Sequence, residues 1–348
     1  MALLTSPDIV PEAMRFLVRG LLVLKGGQAD REELQDLVAP LGLTEAMAVL
    51  GVVAAEEDDA EAEGPAEADT PAEADTPAEA GARSGGQLIV ARSLEALRLL
   101  GVVQVEDKQF RLAERAAVRY RSAADVTPRD FRAFLLDSVL GMGVPGAAPG
   151  DAAGVNDLLG ALELFYATED PLRPFDRFEK PKKSGDRGRS FQQLQTDAFG
   201  TDDKNWPLRN KTRWQPFRRW SSYLGLARRV GGTGLVPDAG EALVHRLAAC
   251  PEGTYDVRDF AARCAAAVPL LDGGALQTRH DPERTGSTEV LSPALSLTLT
   301  QLEADGLVKM DKRSDTGVRI VRLRGNRTLD RSVTTVEWTP TAKDGGIG

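Results

Sequence analysis

The stretch Ser292-Pro-Ala-Leu-Ser-Leu-Thr-Leu-Thr-Gln-Leu-Glu-Ala-Asp-Gly-Leu-Val-Lys-Met310 predicts a helix that runs directly into a strand. Ser292 and Pro293 supply an N-cap and a first-turn proline, and leucines then recur along one helix face. Asp305-Gly306 ends the helix, and an apolar strand begins at Leu307. A helix, a glycine and a strand in this order are typical of the recognition helix and wing of a winged helix-turn-helix.

This pattern occurs three times in the chain. The copies are Ser93 to Leu112, Phe217 to Pro237, and Leu295 through Leu323. The repeat predicts a mainly α protein with short β-hairpins, of the α+β class, built from tandem winged helix-turn-helix modules. A chain that repeats this unit is better suited to holding nucleic acid, or proteins that do, than to turning over a metabolite.

A length of 348 residues suits two or three domains. We predict a winged helix over 1–125, a helical middle domain over 126–248, a C-terminal winged helix over 249–338 and a disordered tail over 339–348. The middle domain contains the second copy and, over 168–189, a basic flexible loop rich in proline. In the first copy, an insertion separates the second helix from a third helix that we expect to begin at Val90.

The insertion, residues 54–86, is acidic and of low complexity. It repeats Pro-Ala-Glu-Ala-Asp-Thr at 65–70 and 71–76, and residues 54–81 hold eleven acids and no base. Such a composition cannot bury enough apolar surface to fold, so we expect a disordered loop. It is either a solvated expansion or an intramolecular mimic of DNA charge. Without these acids the net charge of −9 becomes about +2.

Two basic stretches form the candidate nucleic-acid surface. Residues 173–229 carry fifteen Lys or Arg against six Asp or Glu, and residues 309–327 carry seven against two. Phe217, Trp220 and Leu224 share one helix face and are expected in the core, which would leave the neighbouring polar residues outside. In the middle copy the candidate DNA-binding residues are Arg213, Arg218, Arg219, Ser222, Arg228 and Arg229.

The third copy supplies the remaining candidates. They are Ser296, Thr300 and Gln301 on the helix, and Lys309, Lys312, Arg313 and Arg322 on the wing. Such residues contact phosphates or base edges, and the alternative is a solvated surface with incidental charge. The first copy carries Glu106 and Asp107 on its wing, so it is better suited to packing against protein than against DNA.

The sequence contains no P-loop, nucleophile-elbow, zinc-protease or deaminase motif. Cys250 and Cys264 lack the spacing of a zinc site and are expected to be buried thiols. His245 fits a structural histidine, and His280, in a polar basic loop, is better suited to a phosphate contact than to general-base chemistry. Gly231-Gly-Thr-Gly234 fits a hairpin tip better than a phosphate cradle. We therefore expect no enzyme activity and neither a cofactor nor a metal.

The chain is not expected to enter a membrane. No window approaches the apolar length of a membrane span, and the richest early stretch, residues 16–24, is interrupted by Arg19. Neither a signal peptide nor an anchor is expected, so the protein should be cytoplasmic.

Two segments carry a resemblance to a known family. Leu3-Leu-Thr-Ser-Pro-Asp-Ile-Val-Pro11, and above all Asp203-Lys-Asn-Trp-Pro-Leu-Arg-Asn-Lys-Thr-Arg-Trp-Gln-Pro-Phe-Arg-Arg-Trp220, resemble DpdG. That family comprises accessory proteins of bacterial islands that install 7-deazaguanine bases in DNA and restrict foreign DNA. The resemblance implies a role in phage defence beside helicase and nuclease-like partners. It supplies no catalytic residue, and the acidic insertion departs from the family pattern.

Two main hypotheses follow. The first is a non-enzymatic accessory subunit that binds double-stranded DNA through its middle and C-terminal modules. The second is a protein-interaction adaptor whose winged helices dock other proteins of a defence or DNA-modification complex; a transcriptional regulator is a further alternative, and an enzyme a remote one. Salt-dependent duplex binding discriminates between the first two.

Overall fold

A computed structural model describes residues 2–38, 85–142, 154–179, 189–277, 290–312, 319–321 and 331–340. The chain divides into two compact units, Asp8–Val126 and a second unit formed by Met1–Pro7 with Thr127–Gly348. Helices and sheets of three or four strands make up both, which confirms the α+β class. Among the helices of the described ranges, none has the length and apolar character needed to cross a bilayer. The predicted separation of 126–248 from 249–338 stays a prediction.

The first unit holds four helices and one three-stranded sheet within its described residues. The helices are α1 Pro11–Val23, α2 Arg31–Val38, α3 Gly85–Leu99 and α4 Glu114–Arg119. The strands are β1 Gln28–Ala29, β2 Val103–Glu106 and β3 Gln109–Leu112, and β3 pairs with both neighbours.

The described part of the second unit holds the remaining elements. Its helices are α5 Pro128–Gly141, α6 Asn156–Tyr166, α7 Phe191–Phe199, α8 Trp214–Tyr223, α9 Gly240–Arg246, α10 Val257–Ala267 and α11 Pro293–Ala304. Its strands are β4 Phe175–Arg177, β5 Arg189–Ser190, β6 Ala227–Val230, β7 Gly234–Pro237, β8 Gly253–Asp256, β9 Val290–Leu291, β10 Val308–Asp311, β11 Arg319–Val321, β12 Arg331–Val333 and β13 Thr335–Trp338. Two 3-10 turns, Asp203–Asn205 and Lys211–Arg213, precede α8.

Three parts of the chain follow the same path. When β5, β9, β11 and β12 are left aside, the described elements of each run helix, strand, helix, helix, strand, strand, and in each the last of these strands lies between the first two in the sheet. We call them the first module (α1, β1, α2, α3, β2, β3), the middle module (α6, β4, α7, α8, β6, β7) and the C-terminal module (α9, β8, α10, α11, β10, β13). The repeat predicted from three local patterns therefore extends to the strand order of complete modules.

The joint between the third helix and the hairpin is the same in all three modules. Gly101, Gly225 and Gly306 follow the helices with φ of 64°, 69° and 74°, a left-handed conformation that favours glycine. The amide after each glycine donates to a carbonyl five residues earlier at 2.9 Å, from Val102 to Leu97, from Leu226 to Ser221 and from Leu307 to Leu302. This is a Schellman motif. It explains physically why a glycine marks each helix-to-strand step.

Several predicted elements are confirmed. Ser292 caps α11, since its hydroxyl accepts a hydrogen bond from the Leu295 amide at 3.1 Å. Trp206, Trp214 and Trp220 are all buried, as expected of large aromatic side chains in a domain with few of them. Trp214 belongs to a core cluster with Phe165, Phe175, Phe191 and Phe217, in which neighbouring rings contact one another at centroid distances of 5.2–5.7 Å.

Three boundaries differ from the sequence prediction. Helix α3 begins at Gly85, so the predicted insertion over 54–86 ends too late. Strand β4 lies inside the predicted loop 168–189, because Phe175 pairs with Leu235 and both are fully buried. Strand β10 pairs with β13 rather than with the nearer strand β11, and β11 pairs instead with β12 and β9. The hairpin partner thus lies farther along the chain than local periodicity indicates.

Some predictions lie outside the described residues. These are the acidic insertion from 54 to 84, residues 180–188 of the basic loop, His280, and residues 341–348 of the tail. They stay predictions.

Residues 2–7 pack within the second unit. Ala2, Leu3 and Leu4 are fully buried, and the Leu4 amide donates a 2.8 Å hydrogen bond to Oδ2 of Asp157 on α6. Oδ1 of the same carboxyl accepts from the Leu158 amide at 2.8 Å. Burial raises the pKa of Asp157 to about 6, although these hydrogen bonds and nearby Arg213 oppose the rise.

Candidate nucleic-acid interface

The predicted outer face of α8 is largely covered. Arg218 is only 9% exposed, so the prediction that it faces solvent is wrong. Its guanidinium donates to Gln215 Oε1 and to the carbonyl of Gly232, both at 3.2 Å. Arg218 is next to the core residue Phe217, and the hairpin β6–β7 returns over this flank of the helix. Burial, and secondly the charge of Arg229, lower the pKa of Arg218.

The other candidates on and before α8 are half-buried. Arg219 donates from Nη1 to the carbonyl of Pro7 at 2.5 Å. The hydroxyl oxygen of Ser222 is buried and has no hydrogen-bond partner among the described residues, so its predicted outward orientation is wrong. Burial also lowers the pKa of Arg213, which precedes the helix. Helix α8 therefore does not present an open row of basic side chains.

The middle hairpin, β6–β7 over 227–237, directs its two arginines to opposite faces. Arg228 pairs with Val236 and Arg229 with Leu235, and neighbouring residues of a strand point to opposite sides of the sheet. The Arg228 guanidinium is engaged within the protein: Nε lies 2.7 Å from Oδ2 of Asp238, and Nη1 donates to Oε1 of Gln301 at 2.9 Å.

Asp238 is the residue that sequence analysis missed. Its carboxylate is 7% exposed, and Oδ1 accepts a hydrogen bond from the Gly240 amide at 2.9 Å at the start of α9. One carboxylate thus binds Arg228 and accepts a hydrogen bond from the first amide of α9. The available signal was an aspartate shortly before the apolar segment Ala242-Leu-Val244, since aspartates are common at helix N-termini.

The predicted polar face of α11 lies against the protein. Ser296 is fully buried, so the prediction that it faces outward is wrong. Thr300 and Gln301 are half-buried, and the Thr300 hydroxyl donates to the Ser296 carbonyl at 2.8 Å. Thr298, also fully buried, accepts a hydrogen bond from the Ala239 amide at 3.2 Å. Small hydroxyl residues let α11 pack closely against α9 and the middle hairpin.

The C-terminal hairpin keeps its exposed lysines. Lys309 and Lys312 are exposed, while Val308 and Met310 on the same strand are buried. Nζ of Lys309 lies 3.2 Å from Oδ2 of Asp311, an exposed pair that contributes little to stability. Arg313 and Arg322 lie outside the described residues.

The remaining candidates for chemistry take structural positions. Nε2 of His245 lies 3.8 Å from Oδ2 of Asp137, and Arg246 contacts the other carboxylate oxygen at 2.5 Å. Cys264 is buried as predicted, and burial raises the pKa of its thiol, but Cys250 is partly exposed, so the prediction of a buried thiol is wrong there. Gly231-Gly-Thr-Gly234 is confirmed as a hairpin turn, closed by pairing of Val230 with Gly234. Within the described ranges, three or more His, Cys, Asp or Glu side chains do not group as metal ligands.

The model of a family described as DpdG-like matches residues 1–316. The chain belongs to the DpdG-like family. The match confirms the resemblance carried by residues 203–220, which form the 3-10 turns and the first part of α8. Family membership associates the chain with a DpdG-type system. Comparison with curated proteins and with solved structures gave no match.

Proposed function

We propose that the chain is a non-enzymatic, DNA-binding accessory subunit of a DpdG-type system, built from three winged helices. The observation that carries this proposal is the path shared by the three modules, with two helices before a hairpin and the last strand central. A helix-turn-helix followed by a wing is a common DNA-binding unit. The absence of recognised catalytic motifs from the sequence supports a role without chemistry of its own.

The charge distribution supports duplex DNA as the ligand. The middle basic stretch has a net charge of +9 over residues 173–229. Lys211, Arg229, Lys309 and Lys312 are exposed. Exposed cations of this kind neutralise backbone phosphates and release counterions. The polar faces of α8 and α11 are engaged within the protein. We therefore propose that the hairpins contact the DNA backbone, rather than that these helices insert into the major groove.

The family context supplies the setting of this proposal. The chain would act in the cytoplasm on DNA handled by an island that modifies DNA and restricts foreign DNA, together with other proteins of that complex. No membrane partner is proposed.

A protein-interaction adaptor is the second candidate. It is favoured by the burial of Ser296 and Arg218, which removes side chains that would read bases. It is also favoured by the first module, whose hairpin carries Glu106 and Asp107. In this alternative, the basic surface of the middle module would bind acidic segments of partner subunits.

Fluorescence anisotropy of the full chain with two labelled duplexes of unrelated sequence tests the proposal. We expect binding to both duplexes, with log affinity falling linearly with log salt by about 0.9 per neutralised phosphate. Reversing Glu106 and Asp107 to lysine is the control and should not weaken binding. Failure of the parent to bind either duplex at about 0.1 M salt would overturn the proposal and favour the adaptor.

A further inference from the structure

The middle hairpin carries Arg229, and the packed helix α8 directs Arg218 to the turn of the same hairpin. Cross-strand partners share a face, so Arg229 lies on the face of the fully buried Leu235. Helix α8 packs on this hairpin, and its Arg218 reaches the carbonyl of Gly232 at the turn. Burial lowers the pKa of Arg218, and the positive charge of Arg229 lowers it further.

Arg218 is held as a fixed positive charge. Its two terminal nitrogens bond to Gln215 and Gly232, and its Nε is buried without a hydrogen-bond partner among the described residues. Within the described ranges, neither Arg218 nor Arg229 forms an ion pair with a carboxylate. Buried charge without an opposite charge destabilises a fold, so this arrangement favours an added anion.

The neighbouring turn leaves room for such an anion. Gly231 and Gly232 have φ of 57° and 78°, and a Cβ built at either glycine would meet nothing within 4 Å. A backbone without side chains allows close approach of another molecule. A guanidinium binds phosphate oxygens with charge-assisted hydrogen bonds, often two at once.

We propose that Arg229 binds a phosphodiester oxygen of the DNA backbone, and that Arg218 is a positioning residue whose fixed charge strengthens this contact. The inference rests on the proposed function and deepens it by assigning a phosphate contact to the middle hairpin. Because the two terminal nitrogens of Arg218 already donate hydrogen bonds within the protein and the proposed Arg229 contact is to a phosphodiester, this site does not read base edges. Binding here is therefore independent of DNA sequence.

Arg229→Gln tests the direct contact. Without DNA, we expect the melting temperature of the variant to equal or exceed that of the parent, because repulsion of Arg218 is removed. With duplex DNA, we expect the slope of log affinity against log salt to fall by about 0.9. The ratio of parent to variant affinity should then rise about eightfold for each tenfold decrease in salt.

Arg228→Gln is the matched control, because it removes the same charge from the next residue on the opposite face. It should lower the melting temperature by leaving Asp238 unpaired, and it should retain the parent salt slope.

The role of Arg218 is tested by Arg218→Lys and Arg218→Gln. At low salt, the lysine variant should retain more affinity for duplex DNA than the glutamine variant. Each variant should bind the two duplex sequences with equal affinity.

The outcomes separate this inference from the proposed function. If the parent does not bind duplex DNA, the proposed function fails. If the parent binds but Arg229→Gln retains its affinity and salt slope, the phosphate contact is wrong while DNA binding stands. If Arg228→Gln and Arg229→Gln flatten the slope equally, the effect reports overall charge and the assignment to Arg229 is also overturned.

Discussion

Arg228 on β6 donates a 2.9 Å hydrogen bond from Nη1 to Oε1 of Gln301 on α11. The sequence indicates that both residues face DNA, yet they contact each other across 73 positions of the chain. Asp238 completes the contact, since its carboxylate binds the same guanidinium and accepts a hydrogen bond from the Gly240 amide at the start of α9. The C-terminal module is thereby joined to the middle hairpin by side chains that would otherwise be available to nucleic acid.

This contact should contribute measurably to stability. We expect Arg228→Ala and Gln301→Ala to show a coupling free energy of about 0.5–1 kcal/mol in a double-mutant cycle, because one partly exposed hydrogen bond is lost in each variant. Urea unfolding of the parent, the two single variants and the double variant gives the value. Strict additivity of the two effects would show that the hydrogen bond does not stabilise the fold.

The glycine joints should differ in their sensitivity to alanine. Both Gly225→Ala and Gly306→Ala place a side chain in a left-handed conformation, at a cost of about 1–2 kcal/mol. At Gly225 the new Cβ would also lie 2.8 Å from Cβ of Glu241, whereas at Gly306 it would meet nothing within 4 Å. Gly225→Ala should therefore lower the melting temperature more than its matched control. Equal losses would contradict the close packing of α9 on this joint.

Asp157 should make the stability of the second unit depend on pH. The pKa of Asp157 in the folded protein, about 6, exceeds the ordinary value of 3.8. Between these two pH values the folded protein holds a proton that the unfolded chain has released. The stability contributed by the protonated carboxyl is complete below about pH 4 and is lost as the pH rises through about 6. As the pH rises between these values, the free energy of unfolding of Asp157→Asn should increase relative to that of the parent by up to about 3 kcal/mol.

Urea unfolding at several pH values checks this expectation. The variant loses one carboxylate acceptor for the amides of Leu4 and Leu158, so its absolute stability also changes by an amount that does not vary with pH. A difference between parent and variant that stays constant from acid to neutral pH would show that the folded pKa of Asp157 is not raised.

The elements with local sequence signals form as the sequence predicts. The N-cap at Ser292, the glycine after each third helix and the core face of Phe217, Trp220 and Leu224 are all confirmed. Each depends on residues within about two helical turns of one another, where periodicity and backbone conformation decide the outcome. The resemblance carried by residues 3–11 and 203–220 is confirmed by the family match.

The orientation of the site residues could not be predicted in this way. Arg218 is covered by Gly232, Arg219 reaches Pro7, and Gln301 reaches Arg228. Each of these contacts depends on where a separate segment packs, and helical periodicity contains no information about that segment. The same reason explains the pairing of β10 with β13, because several short apolar stretches are equally suitable as partners.

The most direct test of the account is amide hydrogen exchange of the full chain with and without a short duplex. We predict that DNA slows exchange in the middle hairpin, residues 227–237, where Arg229 is exposed beside the glycine turn. Exchange in α11 should not change, because the helix is already buried within the protein. Slowing confined to the hairpin of the first module, or the absence of any change on adding DNA, would contradict the account.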